Sequence, residues 1–254
     1  MGSHENRTEK MKRILLYPNR LWTTDIVLTT LLVSLLIYIF FLYPLGLVGS
    51  FKPLPTVFFS LVLISGAITA SRNRIFRILV FSWGLLTFIV IWVRYLIPTP
   101  TLIFVTTCLS LFFLLLLTFL FVNQALREGP TTSHRIMGAV AAYLLLGLIW
   151  SLAYYLITLR IPEAFSIQGP FATGGRESLQ SQLFYFSFVT LTTIGYGDIV
   201  PLHPIVRMLA MLEGVAGQLF PAILIARLVS LQVQSISKTR SCGQFSQKGK
   251  EERK

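Results

Sequence analysis

Runs of about 20 residues without a charged side chain recur along this chain, and a lipid bilayer is the environment in which such a pattern folds. "LIFVTTCLSLFFLLLLTFLFV", residues 102–122, shows it most plainly. A soluble helix of this length would set an apolar stripe against a polar face. Here Leu, Phe, Val and Ile occupy every face. A spanning helix needs roughly 17–25 mostly apolar residues. Six windows meet or approach that length: 26–43, 55–70, 75–97, 102–122, 136–159 and 204–231. The second is the shortest, and the last is long enough to tilt or to project beyond the bilayer. Composition agrees, since 13% of the 254 residues are charged and 54% hydrophobic, whereas a soluble domain carries about a quarter charged residues.

The formal net charge of +12 invites a nucleic-acid reading, but its distribution argues for a membrane. Arg7, Lys10, Lys12, Arg13 and Arg20 precede the first window, and Arg72, Arg74 and Arg77 lie between the second and third. Arg127 and Arg135 separate the fourth and fifth, and Lys238, Arg240, Lys248, Lys250, Arg253 and Lys254 follow the sixth. The other side shows only Lys52, Arg94, Arg160, Arg176 and Arg207. The bias places both termini in the cytoplasm, which agrees with an even number of spans. The expected organisation is a basic cytoplasmic tail (1–24), a four-helix region (25–123), a C-terminal module (136–231) and a second basic tail (232–254). That last tail, "SKTRSCGQFSQKGKEERK", is polar and is expected to be disordered. The first apolar run is long for a cleaved signal and no A-x-A-like site closes it, so it is expected to stay.

Enzymatic chemistry finds no foothold. The two cysteines, Cys108 and Cys242, imply no disulfide framework, and His4, His134 and His203 are scattered. No zinc spacing, catalytic carboxylate pair or small-molecule substrate site is apparent.

About 45 residues separate the last two windows. They open polar and glycine-rich ("RIPEAFSIQGPFATGGRES"), turn apolar and aromatic ("LQSQLFYFSFVTLTT"), and reach "IGYGD". The apolar part, 179–192, is too short to cross a bilayer and predicts a re-entrant half-helix with Ser178 or Glu177 near its N-cap. Irregular backbone at membrane depth is tolerated only inside protein or along a water-filled cavity. A half-helix followed by a glycine-rich strand therefore points to a pore lining.

"TLTTIGYGD", 190–198, resembles the selectivity filter of potassium channels, in a setting of outer helix, pore helix, filter and inner helix over 136–231. An ordinary tight turn would need neither the threonines and the tyrosine nor the half-helix. An ion leaves water cheaply only where oxygens replace its hydration shell. Backbone carbonyls aimed at one axis do this when the chain alternates between right- and left-handed regions, which Gly195 and Gly197 enter without steric cost. The resemblance implies K+ ligation by the carbonyls of Thr193, Ile194, Gly195 and Tyr196 and by the Thr193 hydroxyl, with Gly197 closing the filter. It also implies that Ile194 and Tyr196 point outward as buttresses. Thr192 and Asp198 flank the filter, Asp198 as an acidic ring at the mouth. The family's pore-helix tryptophans correspond here to Tyr185 and Phe186. The half-helix dipole would turn partial negative charge toward the pore. One filter strand cannot enclose an ion, so a homotetramer is implied.

In the inner helix, Gly214 and Gly217 weaken the middle. Pro221 removes a donor and crowds the carbonyl of Gly217, four residues back, so a kink is expected there. A gating hinge and a static packing kink both fit. Glu213, an acid inside a span, is expected to be paired or functional, with Gln218 or a pore-helix hydroxyl as partner. A voltage sensor would need arginines along the fourth window, which has none.

The fold class expected is thus an all-α membrane protein of six transmembrane helices with a re-entrant pore helix and filter loop between the last two. The function expected is passive, potassium-selective conduction through a homotetramer in the plasma membrane, without voltage gating, catalysis or a cofactor other than the permeant K+. A weakly selective cation channel, or a non-conducting accessory subunit with a vestigial filter, are the alternatives.

Overall fold

The computed structural model describes residues 29–42, 59–60, 62, 74–126, 133–167 and 176–251. From Arg74 on, the described residues form five α-helices: α1 (Arg74–Leu96), α2 (Pro100–Leu126), α3 (Ser133–Thr158), α4 (Arg176–Leu191) and α5 (Pro204–Glu251). Two three-residue strands, β1 (Phe165–Ile167) and β2 (Ile199–Pro201), bracket α4 and the loop after it. The chain divides into two compact units, Met1–Leu117 and Thr118–Lys254.

In the first unit a helical stretch from Thr29 passes into a π-helical turn, Tyr38–Leu42. The expected second window, 55–70, lies outside the described residues except at 59, 60 and 62. Trp83 of α1 donates from its ring nitrogen to the Leu109 carbonyl at 3.3 Å and packs on Phe112. Gly84 lets the fully buried Phe113 approach, since a Cβ there would lie 3.0 Å from its ring. The hydroxyls of Thr87, Thr106 and Thr107 bond to carbonyls of their own helix, which is how a hydroxyl is satisfied where no water reaches.

In the second unit α3, α4 and α5 pack on one another. Among the described residues three helices are long and apolar enough to cross a membrane: Pro100–Asn123, Ile136–Thr158 and Pro204–Arg227. Shorter apolar helices occupy Thr29–Phe40 and Ile78–Arg94. The chain is a membrane protein by these helices.

Helix α4 is described from Arg176 to Leu191, which puts Glu177 and Ser178 in its first described turn. One sequence expectation needs correction. The tail 232–251 is not disordered: it is the continuation of α5, helical to Glu251. A helix already nucleated by the apolar span adds residues without a new nucleation cost, and Lys, Arg, Gln and Glu propagate it well. The composition of the tail alone hides that support.

The strands, which alternation did not predict, pair antiparallel with Phe165 opposite Pro201, Ser166 opposite Val200 and Ile167 opposite Ile199. The Leu202 N–H extends the seam by donating to the Ala164 carbonyl at 2.8 Å. This seam ties the chain before α4 to the chain after the GYG loop, so the loop is held at both ends.

Candidate functional site

Helix α4 spans 16 residues, about 24 Å at 1.5 Å per residue, short of a hydrocarbon core of about 30 Å. Its end runs directly into the GYG loop through a capping motif. The Thr193 N–H donates to the Thr190 carbonyl at 2.9 Å, and the Ile194 N–H to the Val189 carbonyl at 2.9 Å. With Thr193 at φ +60°, this is a Schellman cap that satisfies two of the orphan carbonyls at the helix end. Glycine usually fills the left-handed position, and a residue with a Cβ held there costs about 1–2 kcal/mol. A threonine in this place signals that its side chain is wanted.

Beyond the cap every second residue is left-handed: Thr193 at φ +60°, Gly195 at +60° and Gly197 at +80°. Alternating handedness turns successive carbonyls toward one side of the strand. Thr192 is anchored below, its hydroxyl donating to the Phe188 carbonyl at 2.6 Å. Thr193, Ile194, Gly195, Tyr196 and Gly197 are all exposed within the single chain, Ile194 at 54% and Tyr196 at 69%. A Cβ placed on Gly195 or Gly197 would meet nothing within 4 Å. The loop has a fixed backbone, and its residues lie open in the single chain.

Tyr185 and Asp198 support it from one side. The Tyr185 ring stacks parallel to Tyr196, centroids 6.4 Å apart with an interplanar angle of 2°. Its hydroxyl donates to the Asp198 carboxylate, which also accepts from the Ile199 N–H at 3.1 Å. Phe186, the other position compared with a family tryptophan, turns away. It is buried edge-on against Tyr154 and Phe165, centroids 5.3 and 5.1 Å away. Tyr185→Phe keeps the stack and removes one hydrogen bond, so a loss of about 0.5–1.5 kcal/mol is expected. Tyr185→Ala should lower the thermal midpoint further, and equal midpoints for both variants would deny the ring any part in holding Tyr196.

The inner-helix candidates divide. Gly214 has open space around it. Gly217 is buried, and a Cβ there would fall inside the van der Waals envelope of the Leu191 carbonyl at the end of α4. Helix α5 continues without interruption through Pro221. Glu213 is fully buried. Its Oε2 accepts from the Tyr154 hydroxyl at 2.7 Å, and its Oε1 lies 2.6 Å from Ser187 Oγ. Of the two partners anticipated for Glu213, the pore-helix hydroxyl is the one found, whereas Gln218 is exposed.

Sequence reasoning missed Tyr143, Gly147, Tyr154 and Ser187. Tyr143 donates to the Leu191 carbonyl at 3.2 Å. Ser187 Oγ lies 2.8 Å from the Gly147 carbonyl, and a Cβ on Gly147 would come 2.7 Å from the Phe188 ring. The one available signal was spacing. Tyr143 and Gly147, Ser187 and Leu191, and Glu213 and Gly217 are each four apart, one helical turn.

Residues 142–234 match the family model described as an ion channel. They take in most of α3, then β1, α4, the GYG loop, β2 and the first part of α5, so this chain carries an ion-channel pore module. Protein LctB of Geobacillus stearothermophilus is 31% identical over 80 residues, 32% of this chain and 59% of that protein. Protein LctB of Bacillus caldotenax is 30% identical over 87 residues, 34% of this chain and 64% of that protein. The chain thus spans less than two thirds of the length of either curated relative. No solved structure matches it.

Proposed function

We propose that the chain is one subunit of a homotetrameric, potassium-selective channel that conducts passively across the plasma membrane. The observation that carries this reading is the left-handed φ at Thr193, Gly195 and Gly197, within a sequence whose hydroxyl and carbonyls suit a dehydrated K+. The exposure of Ile194 and Tyr196 fits a loop walled by neighbouring copies of the chain. The apolar and mostly exposed inner helix fits the same arrangement. In this reading the subunit has six spans, both termini are cytoplasmic, and α4 enters and leaves the bilayer on one face. Helix α2 carries no basic residue, which supports gating by something other than a voltage sensor. No nucleic acid, small-molecule substrate or bound cofactor enters the reading.

Flux measurements test it. Liposomes containing the purified protein should take up Rb+ at least about tenfold better than Na+, the ratio that about 1.4 kcal/mol of differential stabilisation gives. Chemical cross-linking should end at a four-subunit band. Equal Rb+ and Na+ uptake would replace this reading with a weakly selective cation channel, and no uptake with an accessory subunit.

A further inference from the structure

Helices α3, α4 and α5 meet in two rungs one turn apart. In the first, Tyr143, Leu191 and Gly217 come together at the Leu191 carbonyl, where α4 ends. In the second, Gly147, Ser187, Glu213 and Tyr154 form a closed polar cluster. Leu191 leads straight into the loop 192–198, so whatever fixes the register of Ser187 against α5 also fixes where that loop starts.

The second rung contains a proton that its heavy atoms disclose. Three short oxygen–oxygen contacts have to be filled: Ser187 with Gly147 at 2.8 Å, Ser187 with Glu213 at 2.6 Å, and Tyr154 with Glu213 at 2.7 Å. A carbonyl only accepts, and so does an ionised carboxylate. Ser187 and Tyr154 bring one hydrogen each, so a carboxylate would leave one contact between two oxygens with no hydrogen. A neutral acid supplies the third: Glu213 donates from Oε1 to Ser187, Ser187 donates to Gly147, and Tyr154 donates to Oε2. Every contact then holds one hydrogen. The titratable groups facing Glu213 are Tyr154 and, less directly, Tyr143, both on α3. From α4 it meets the Ser187 hydroxyl, and among the described residues no cation pairs with it.

We propose that Glu213, as a neutral carboxylic acid, is the positioning residue of the filter, relaying through Ser187 to clamp the pore helix between α3 and α5. The proposal rests on the channel reading above, because its functional readout is selectivity. Glu213→Gln offers an N–H to Ser187 and a carbonyl to Tyr154, so it reproduces the neutral acid. Reconstituted E213Q should keep the wild-type Rb+/Na+ ratio, while E213A and S187A should lose about tenfold or more of it, as expected when a buried hydrogen-bonding group is stranded. A ratio in E213Q as low as that in E213A would overturn the proposal. Infrared spectra of the wild type at neutral pH give a readout independent of folding in the variants. The carbonyl band of a protonated carboxyl should be present and should vanish in folded E213Q, and its absence from the wild type would also overturn the proposal. Wild-type channels without Rb+ preference would remove the selectivity reading, while the infrared band would still report the state of the acid.

Discussion

Gly217→Ala is expected to cost the protein about 3 kcal/mol, the upper end of the usual range for overpacking. The obstacle is not a side chain that could rotate away. A Cβ at 217 would overlap the backbone carbonyl of Leu191, and that carbonyl belongs to the last turn of α4, already tied by the Tyr143 hydroxyl and by the cap at Thr193 and Ile194. Either α5 retreats and strands the Glu213 cluster, or the end of α4 shifts and carries the loop with it. At about 2–4 °C per kcal/mol for a chain of this size, the thermal midpoint in detergent should fall by roughly 6–12 °C, with Rb+ selectivity lost alongside. Gly214→Ala is the internal control. Its Cβ meets nothing within 4 Å, and alanine favours the helix by about 1 kcal/mol, so its midpoint should hold or rise. If the two alanine variants melt together, the close approach of α5 to α4 is wrong. The same comparison separates packing from hinging: Pro221→Ala should leave selectivity intact and alter only opening, if it alters anything.

Gly195→Ala should abolish discrimination between Rb+ and Na+ for a different reason. Space is not limiting there, since a Cβ would meet nothing within 4 Å in the single chain. The backbone is the constraint: at φ +60° an L-residue costs about 1–2 kcal/mol. In the proposed homotetramer that strain would be repeated in every subunit, roughly 4–8 kcal/mol at one level of the proposed pore. Relaxation to negative φ would turn one carbonyl out of line in each strand. D-alanine at the same position adds the same methyl group with the opposite stereochemistry and accepts positive φ. Semisynthetic replacement of Gly195 by D-alanine should therefore retain the preference for Rb+. Selectivity in the Gly195→Ala channel, with its ordinary L-alanine, would show that the alternation of handedness is not what the loop needs.

The opposite choice at Thr193 sharpens the point. The same φ is met there by a threonine, which carries the strain that glycine avoids at 195 and 197. Under the proposed function the hydroxyl at 193 is an ion ligand, a role that glycine cannot fill. The cap on α4 offsets part of the strain, because Thr193 and Ile194 satisfy carbonyls that the helix end would otherwise leave open.

The environment, most helices and the unusual loop could be read along the chain. Uncharged runs of more than 20 residues mark α2 and α3, and a mostly apolar stretch marks the first half of α5 despite Arg207, Glu213 and Arg227, because lipid demands apolar side chains and internally bonded backbone. The bounds of α1 and α3 fell within a few residues of expectation, and the GYG stretch stood out because glycine, threonine and aspartate are unusual in such company. Contacts between segments distant in the chain emerge only when the elements pack together. Nothing local in "FSI" and "IVP" predicts that they pair across an intervening helix. Gly217 looked like a flexible point, since sequence reports only the absence of a side chain and not the carbonyl pressed against it. Ser187, Gly147 and Tyr154 are ordinary residues for an apolar helix until Glu213 is set among them. A buried acid is legible as an anomaly along the chain, but its partners are chosen by how three helices pack, and that choice is made in space.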